Sequence, residues 1–188
     1  QLFRNYGKRS YCGAQLLNQA GIASFEPLAY WKLCVGFLCY QSCLMYKKIE
    51  ADFSVRDYME RLYQPTEPEA AKQLYSLFEE MALICRHIHD QRLLHGDLVP
   101  NNFLVSANTW TDKGTTIRIV AVIDTDHTRR CLFPGSFLPR VQAMHCLRRL
   151  SFNSATRRLF LQRYFRDDYQ SYWNRVLDFW KWMDTRPL

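Results

Sequence analysis

The sequence contains no paired-cysteine motif. Its seven cysteines, at positions 12, 34, 39, 43, 85, 131 and 146, are odd in number and none belongs to a CxxC pair. That argues against a disulfide framework or a zinc site and favours reduced thiols in a cytoplasmic setting. Cys39 and Cys43 are the nearest pair, and no two further ligands stand close to them. There is no long hydrophobic run either. The most apolar stretch, Leu33 to Met45, is broken by Gly36, Gln41 and Ser42 and is too short to span a bilayer. No signal-peptide pattern opens the chain, and no repeat or low-complexity tract interrupts it. Acid is absent from the start, since no Asp or Glu precedes Glu26. The first residue is Gln1, so we expect that processing or truncation has removed an upstream segment.

At 188 residues the chain suits one domain, or a large lobe with a smaller one attached. Hydrophobic residues at 48% supply a core and exclude disorder. The net charge of +7 is unevenly placed: residues 51–100 are net acidic, and the segments on either side are net basic. A basic balance suits an anionic partner such as nucleic acid, an acidic lipid surface or a phosphorylated substrate. No basic stripe interleaved with aromatics stands out, so nucleic acid ranks last.

The pattern predicts a helix over Arg9–Gln19 with Gly21 just past its end. Strand-like runs Glu26–Val35 and Phe37–Tyr46 flank a turn at Gly36 and suggest a hairpin. Asp52–Leu62 reads as a helix, followed by a break in which Thr66 and Glu69 have capping-box spacing. From Glu67 the apolar residues Leu74, Leu77, Phe78, Met81, Cys85 and Ile88 keep helical spacing to about His89. Phe103–Ser106 and Thr116–Ile123 are β-like, joined by a turn-rich segment. Val141–Leu150 and Thr156–Met183 read as closing helices.

Between the long helix and the next strand lies "LLHGDLVPNNFLV", residues 93–105. Phosphoryl transfer needs a carboxylate near the acceptor hydroxyl and oxygen ligands for magnesium. Asp97 and Asn102 have the spacing of a kinase catalytic loop, and Asp124 follows at the end of an apolar strand, where a metal-binding aspartate belongs. Each alone would be a cap or turn residue. The three together, in that order, favour chemistry. His95 reads as a residue that holds the loop backbone, and His127 as a turn residue.

With those residues in view, the chain resembles the bacterial lipopolysaccharide core-sugar kinases, the Kdo/heptose kinase family of the protein-kinase-like fold. "HGDLVPNNFLV" resembles that family's HGDLxxxNILV loop, "VIDTDHTRR" its IDxD followed by basic residues, and "VQAMHCLRRLS" its arginine-rich helix. "RSYCGAQLLNQAGIASFEPLAYW" is similar to its helix ending in AGI and the strand after it. The resemblance implies an α+β fold with a truncated β-rich N-lobe over residues 1–49 and a mainly helical C-lobe over 50–188. It implies ATP and Mg2+ as cofactors, Asp97 as the catalytic carboxylate, and Asn102 and Asp124 as metal ligands. Val99, where protein serine kinases carry lysine, argues against a protein substrate.

Two parts of the kinase pattern are missing from residues 1–188: a glycine-rich phosphate loop, and a lysine-bearing strand ahead of the first helix. That helix also carries no acid for the usual lysine–glutamate pair. Our reading gives the nucleotide's adenine to the hinge residues Tyr46, Lys47, Lys48 and Ile49, and an anionic acceptor to Arg129 and Arg130. The expected acceptor is the lipopolysaccharide core or a lipid A precursor, and the expected setting is cytoplasmic, peripheral at the inner membrane. The rival readings are a small-molecule kinase of aminoglycoside or sugar type, and a pseudokinase or binding module.

Overall fold

The computed structural model describes residues 5–36, 38–62, 68–108, 116–131 and 154–165. Helix α1 (Tyr6–Gln19) begins at Asn5, whose side-chain oxygen accepts from the Lys8 amide at 2.9 Å. That satisfies a donor with no partner inside the helix. It ends because Gly21 adopts a φ of +75°. The amides of Gly21 and Ile22 then turn back to the carbonyls of Asn18 and Leu17, at 3.0 and 2.9 Å. Leu17 and Ile22 are both buried in the main core, which seals the helix end.

Strands β1 (Glu26–Val35) and β2 (Leu38–Lys47) form the expected antiparallel hairpin. α1 rests on it so closely that a Cβ on Gly7 would stand 2.5 Å from the Cys43 carbonyl oxygen. Trp31, Leu33 and Val35 of β1 remain exposed.

The predicted helix from Asp52 needs correction. The Asp52 amide donates to the Val105 carbonyl at 2.9 Å, and β3 (Phe53–Ser54) pairs with Val105 and Leu104. These backbone groups are committed to a sheet, so no helix can start there. It starts at Ser54, where Asp57 N donates to Ser54 Oγ at 3.1 Å and Ser54 N to Asp57 Oδ2 at 3.0 Å, a reciprocal cap. Helix α2 (Val55–Asp57) then widens into a π-helical turn, Tyr58–Leu62.

Helix α3 (Pro68–Asp90) is the spine of the larger part of the molecule. Its row Leu74, Leu77, Phe78, Met81, Cys85 and Ile88 is buried. At roughly 1.5–3 kcal/mol per large apolar side chain, that row outweighs surface pairs such as Arg86–Asp90 (2.8 Å), which contribute a few tenths each. α3 packs against helix α4 (Ser154–Phe165) through Phe160, Leu161 and Tyr164. The predicted helix Val141–Leu150, the Thr66 cap and the stretch 166–183 lie outside the described residues. Strand β4 (Leu93–Leu94) pairs with β7 (Arg129–Arg130), and β5 (Phe103–Asn108) with β6 (Thr116–Val122), giving a sheet in the order β3-β5-β6. Among the described residues no helix is long and apolar enough to cross a membrane.

One of the contacts that tie α1 to the rest leaves no room for a side chain. A Cβ at Gly13 would collide with the Thr125 carbonyl oxygen, and Thr125 Oγ1 donates to the Ser10 carbonyl at 2.7 Å. Helix propensity alone favours Gly13→Ala by about 1 kcal/mol, whereas crowding opposes it by about 1–3 kcal/mol. The backbone carbonyl cannot move aside as a side chain can, so crowding decides the sign. Gly13→Ala is expected to lower the urea midpoint. A raised midpoint would mean that α1 is not seated on Thr125.

Candidate active site

The polar loop is stitched down from beneath before it presents anything outward. Leu98 and Phe103 are fully buried and anchor its two sides. Gly96 takes a φ of +82°, which only glycine adopts without strain. Pro100–Asn102 forms a 3-10 turn, with the Asn102 amide donating to the Val99 carbonyl at 2.9 Å. Asn102, itself buried, donates from Nδ2 to the Asp97 carbonyl at 2.8 Å and lies 3.4 Å from Asp97 Oδ2. Its own carbonyl accepts from the Ile123 amide at 2.9 Å. His95, with no exposed surface, donates from Nε2 to the Ile123 carbonyl at 3.0 Å. The loop and the end of the β6 segment are therefore one hydrogen-bonded unit, and the structural reading of His95 agrees with its geometry.

That unit delivers Asp124 beside Asp97 and Asn102. Asp124 sits at φ 59°, ψ 56°, a left-handed conformation that non-glycine residues hold only where the surroundings impose it. Its pKa is pushed above the ordinary carboxylate value, first by burial and then by the nearby charges of Asp126 and Asp97. His127 and a hydrogen bond from Asn102 oppose the rise. Asp97, Asp124 and Asp126 thus crowd negative charge into one place, an arrangement that a cation relieves.

The donor set fits magnesium. Asn102 directs its amide hydrogens to Asp97 and Asp124, which leaves Oδ1 as an acceptor, and Asp124 adds a carboxylate. Among the described residues no group of three or more His, Cys, Asp or Glu side chains is placed to hold a metal ion. Magnesium rarely uses such a group: it takes one or two carboxylates and completes its shell with substrate phosphates and water.

The other residues singled out by the sequence are more dispersed. Tyr46 packs on Phe25, with ring centroids 4.8 Å apart. Lys47 faces Glu26 at 3.7 Å and Lys48 faces Glu50 at 3.9 Å. Of the four hinge residues only Ile49 lines the adjacent cleft of about 500 Å³, together with Asp52, Phe53, Asn101 and Leu104. Arg129 and Arg130 are exposed on β7. Neighbouring strand residues point to opposite faces, so the two do not form one fork. Sequence reasoning noted Asp126 as the second acid of the IDxD motif but gave it no site role; its side chain is only 11% exposed. It missed Leu104 in the cleft.

Solved structures share this architecture. WaaP in complex with acyl carrier protein matches with a TM-score of 0.69 at 13% identity, over 96% of this chain and 77% of that one. The Rio2 kinase–ADP/Mg2+–phosphoaspartate complex from Chaetomium thermophilum matches with a TM-score of 0.52 at 13% identity, over 98% of this chain and 56% of its own. The fold is protein-kinase-like. The model of the lipopolysaccharide kinase (Kdo/WaaP) family matches residues 14–169, and the chain belongs to that family. It is therefore a phosphotransferase of lipopolysaccharide core biosynthesis. No curated protein matches it by sequence.

Two enclosed histidines make the packing beneath the site pH-sensitive. Burial lowers His95 to about 4. Burial, then repulsion from His95 and Arg86, lowers His89 to about 3; its Nδ1 lies 2.6 Å from Tyr164 Oη on α4. Both are neutral when folded and take up a proton near pH 6.5 when unfolded. Their contribution is complete above pH 6.5 and is lost as the pH falls toward about 4 for His95 and about 3 for His89. Between pH 6.5 and pH 5 the unfolding free energy should drop by about 2 kcal/mol per histidine. His89→Gln should remove one share of that slope, measured by urea unfolding across pH. An unchanged slope would mean that His89 is charged in the folded protein.

Proposed function

We propose that this kinase transfers the γ-phosphoryl group of ATP, with magnesium, to a sugar hydroxyl of the lipopolysaccharide core. The observation that supports it most is the bridged set at the loop: Asn102 hydrogen-bonded to Asp97, with Asp124 held beside them in a strained backbone conformation. Asp97 orients the acceptor hydroxyl and receives its proton as the oxygen attacks the γ-phosphorus in line. Asn102 and Asp124 would hold magnesium, which would neutralise charge developing on the nucleotide phosphates. ADP then leaves. Little covalent work falls to the protein, and rate comes from positioning and charge neutralisation.

The nucleotide base is assigned to the cleft beside the loop, between Ile49 and Leu104, with the Tyr46–Lys48 backbone as the hinge above it. The division near residue 49, between a small β-rich lobe and a larger helical one, belongs to the same reading. So does action at the cytoplasmic face of the inner membrane, supported by the basic net charge of +7 and by an acceptor that is itself a lipid.

Asp97→Asn removes a carboxylate and no volume, so the fold should survive while transfer falls by about 10²–10⁴-fold. A normal melting curve with wild-type turnover would remove Asp97 from the mechanism.

The opposite orientations of Arg129 and Arg130 sharpen a second expectation. Only one of the single variants Arg129→Ala and Arg130→Ala should raise the KM for lipopolysaccharide and flatten its salt dependence, with the KM for ATP unchanged. An acceptor KM that neither change moves would leave both as ordinary surface charges.

A further inference from the structure

Helix α1 carries no acid, so it cannot reach the nucleotide site through a glutamate. Yet it is bound to the site from the other side. Arg9 Nη2 lies 3.1 Å from His127 Nδ1, a contact across 118 residues of sequence. A guanidinium has no lone pair to offer and does not deprotonate in proteins, so Arg9 is the donor and Nδ1 the acceptor. The histidine proton of the neutral ring then resides on Nε2. That nitrogen faces Asp126 Oδ1 at 3.6 Å.

The space His127 occupies is prepared for it. A Cβ added to Gly96 would stand 2.8 Å from His127 Cβ, so the loop carrying Asp97 must have glycine where the histidine passes. His127 therefore touches three things: helix α1 through Arg9, the polar loop through Gly96, and the carboxylate cluster through Asp126.

We propose that Arg9 and His127 are positioning residues for phosphoryl transfer, forming a bridge from α1 to Asp126 that fixes the orientation of the carboxylates around Asp124. The bridge touches no substrate. It sets one ring tautomer and one backbone spacing between the loop and the segment that follows Asp124. The inference rests on the kinase reading for its kinetic consequence, but not for its geometry.

The test has two arms, both on residues 1–188 together. In the first, ring ¹⁵N spectra of the histidines are recorded near neutral pH for the wild type and for Arg9→Ala and His127→Gln, the latter to assign the signal. The wild type should show His127 with its proton on Nε2, and Arg9→Ala should release the ring to a tautomer mixture. An identical His127 signal in wild type and Arg9→Ala would overturn the bridge, whatever the enzyme does. In the second arm, Arg9→Ala and His127→Gln should each reduce kcat by about tenfold, the effect of one hydrogen bond to a charged group. The KM for ATP and the melting temperature should stay put. The double variant should lose little more than either single one, because both changes break the same bridge, and Arg9→Lys should recover part of the rate. Losses that multiply in the double variant, or a kcat unmoved in both singles, would overturn the positioning role. Turnover that survives Asp97→Asn would instead count against the kinase reading and leave the spectral arm to judge the bridge.

Discussion

The hydrogen bond from Asn102 to the Asp97 carbonyl is the constraint on which the remaining geometry depends. A loop that must show a carboxylate to the outside cannot also bury that carboxylate for support, so its backbone has to be held instead. Asn102 does this with its side chain at 2.8 Å and passes the connection on through its own carbonyl to Ile123. His95 closes the circuit at the Ile123 carbonyl. Without the asparagine side chain, the Asp97 end of the loop would lose its tie, and only the backbone bond to Ile123 and the His95 contact would still join loop and strand end.

This arrangement explains why strain and crowding gather where they do. Three carboxylates share a small volume, and Asp124 adopts a backbone conformation unusual for its type. Neither feature helps the fold. Costs of this kind, of order 1–3 kcal/mol for such a backbone, persist when the surrounding network over-determines the position. Here the network is the stitched loop below and the α1 helix behind.

Much of this was legible in the sequence, for physical reasons. The spacing of Asp97 and Asn102 is local, and so is the apolar row of α3; short-range patterns survive in one dimension. The hairpin announced itself through Gly36 and two apolar runs. What one dimension does not carry are properties decided by partners. Phe53 and Ser54 have no local reason to be a strand until Val105 and Leu104 lie beside them, so the helix was placed too early. His127 looked like a turn residue because Arg9, which gives it a second role, is 118 positions away. Arg129 and Arg130 looked like a pair because adjacency in sequence suggests adjacency in space. On a strand it means the reverse. Lys47 and Lys48 face Glu26 and Glu50, a detail that position along the chain does not carry.

The seating of Gly13 against Thr125 has a consequence for descent. Where one side chain meets another, a lineage can exchange both by small steps, each compensating the last. Where a bare α-carbon meets a carbonyl, no compensating exchange exists, because every residue type brings the same carbonyl. Position 13 is thereby closed to drift among chains that keep this helix docking. Position 9 remains open to any residue that can still donate to a histidine. Relatives should therefore differ at the tip of α1 far sooner than at its middle.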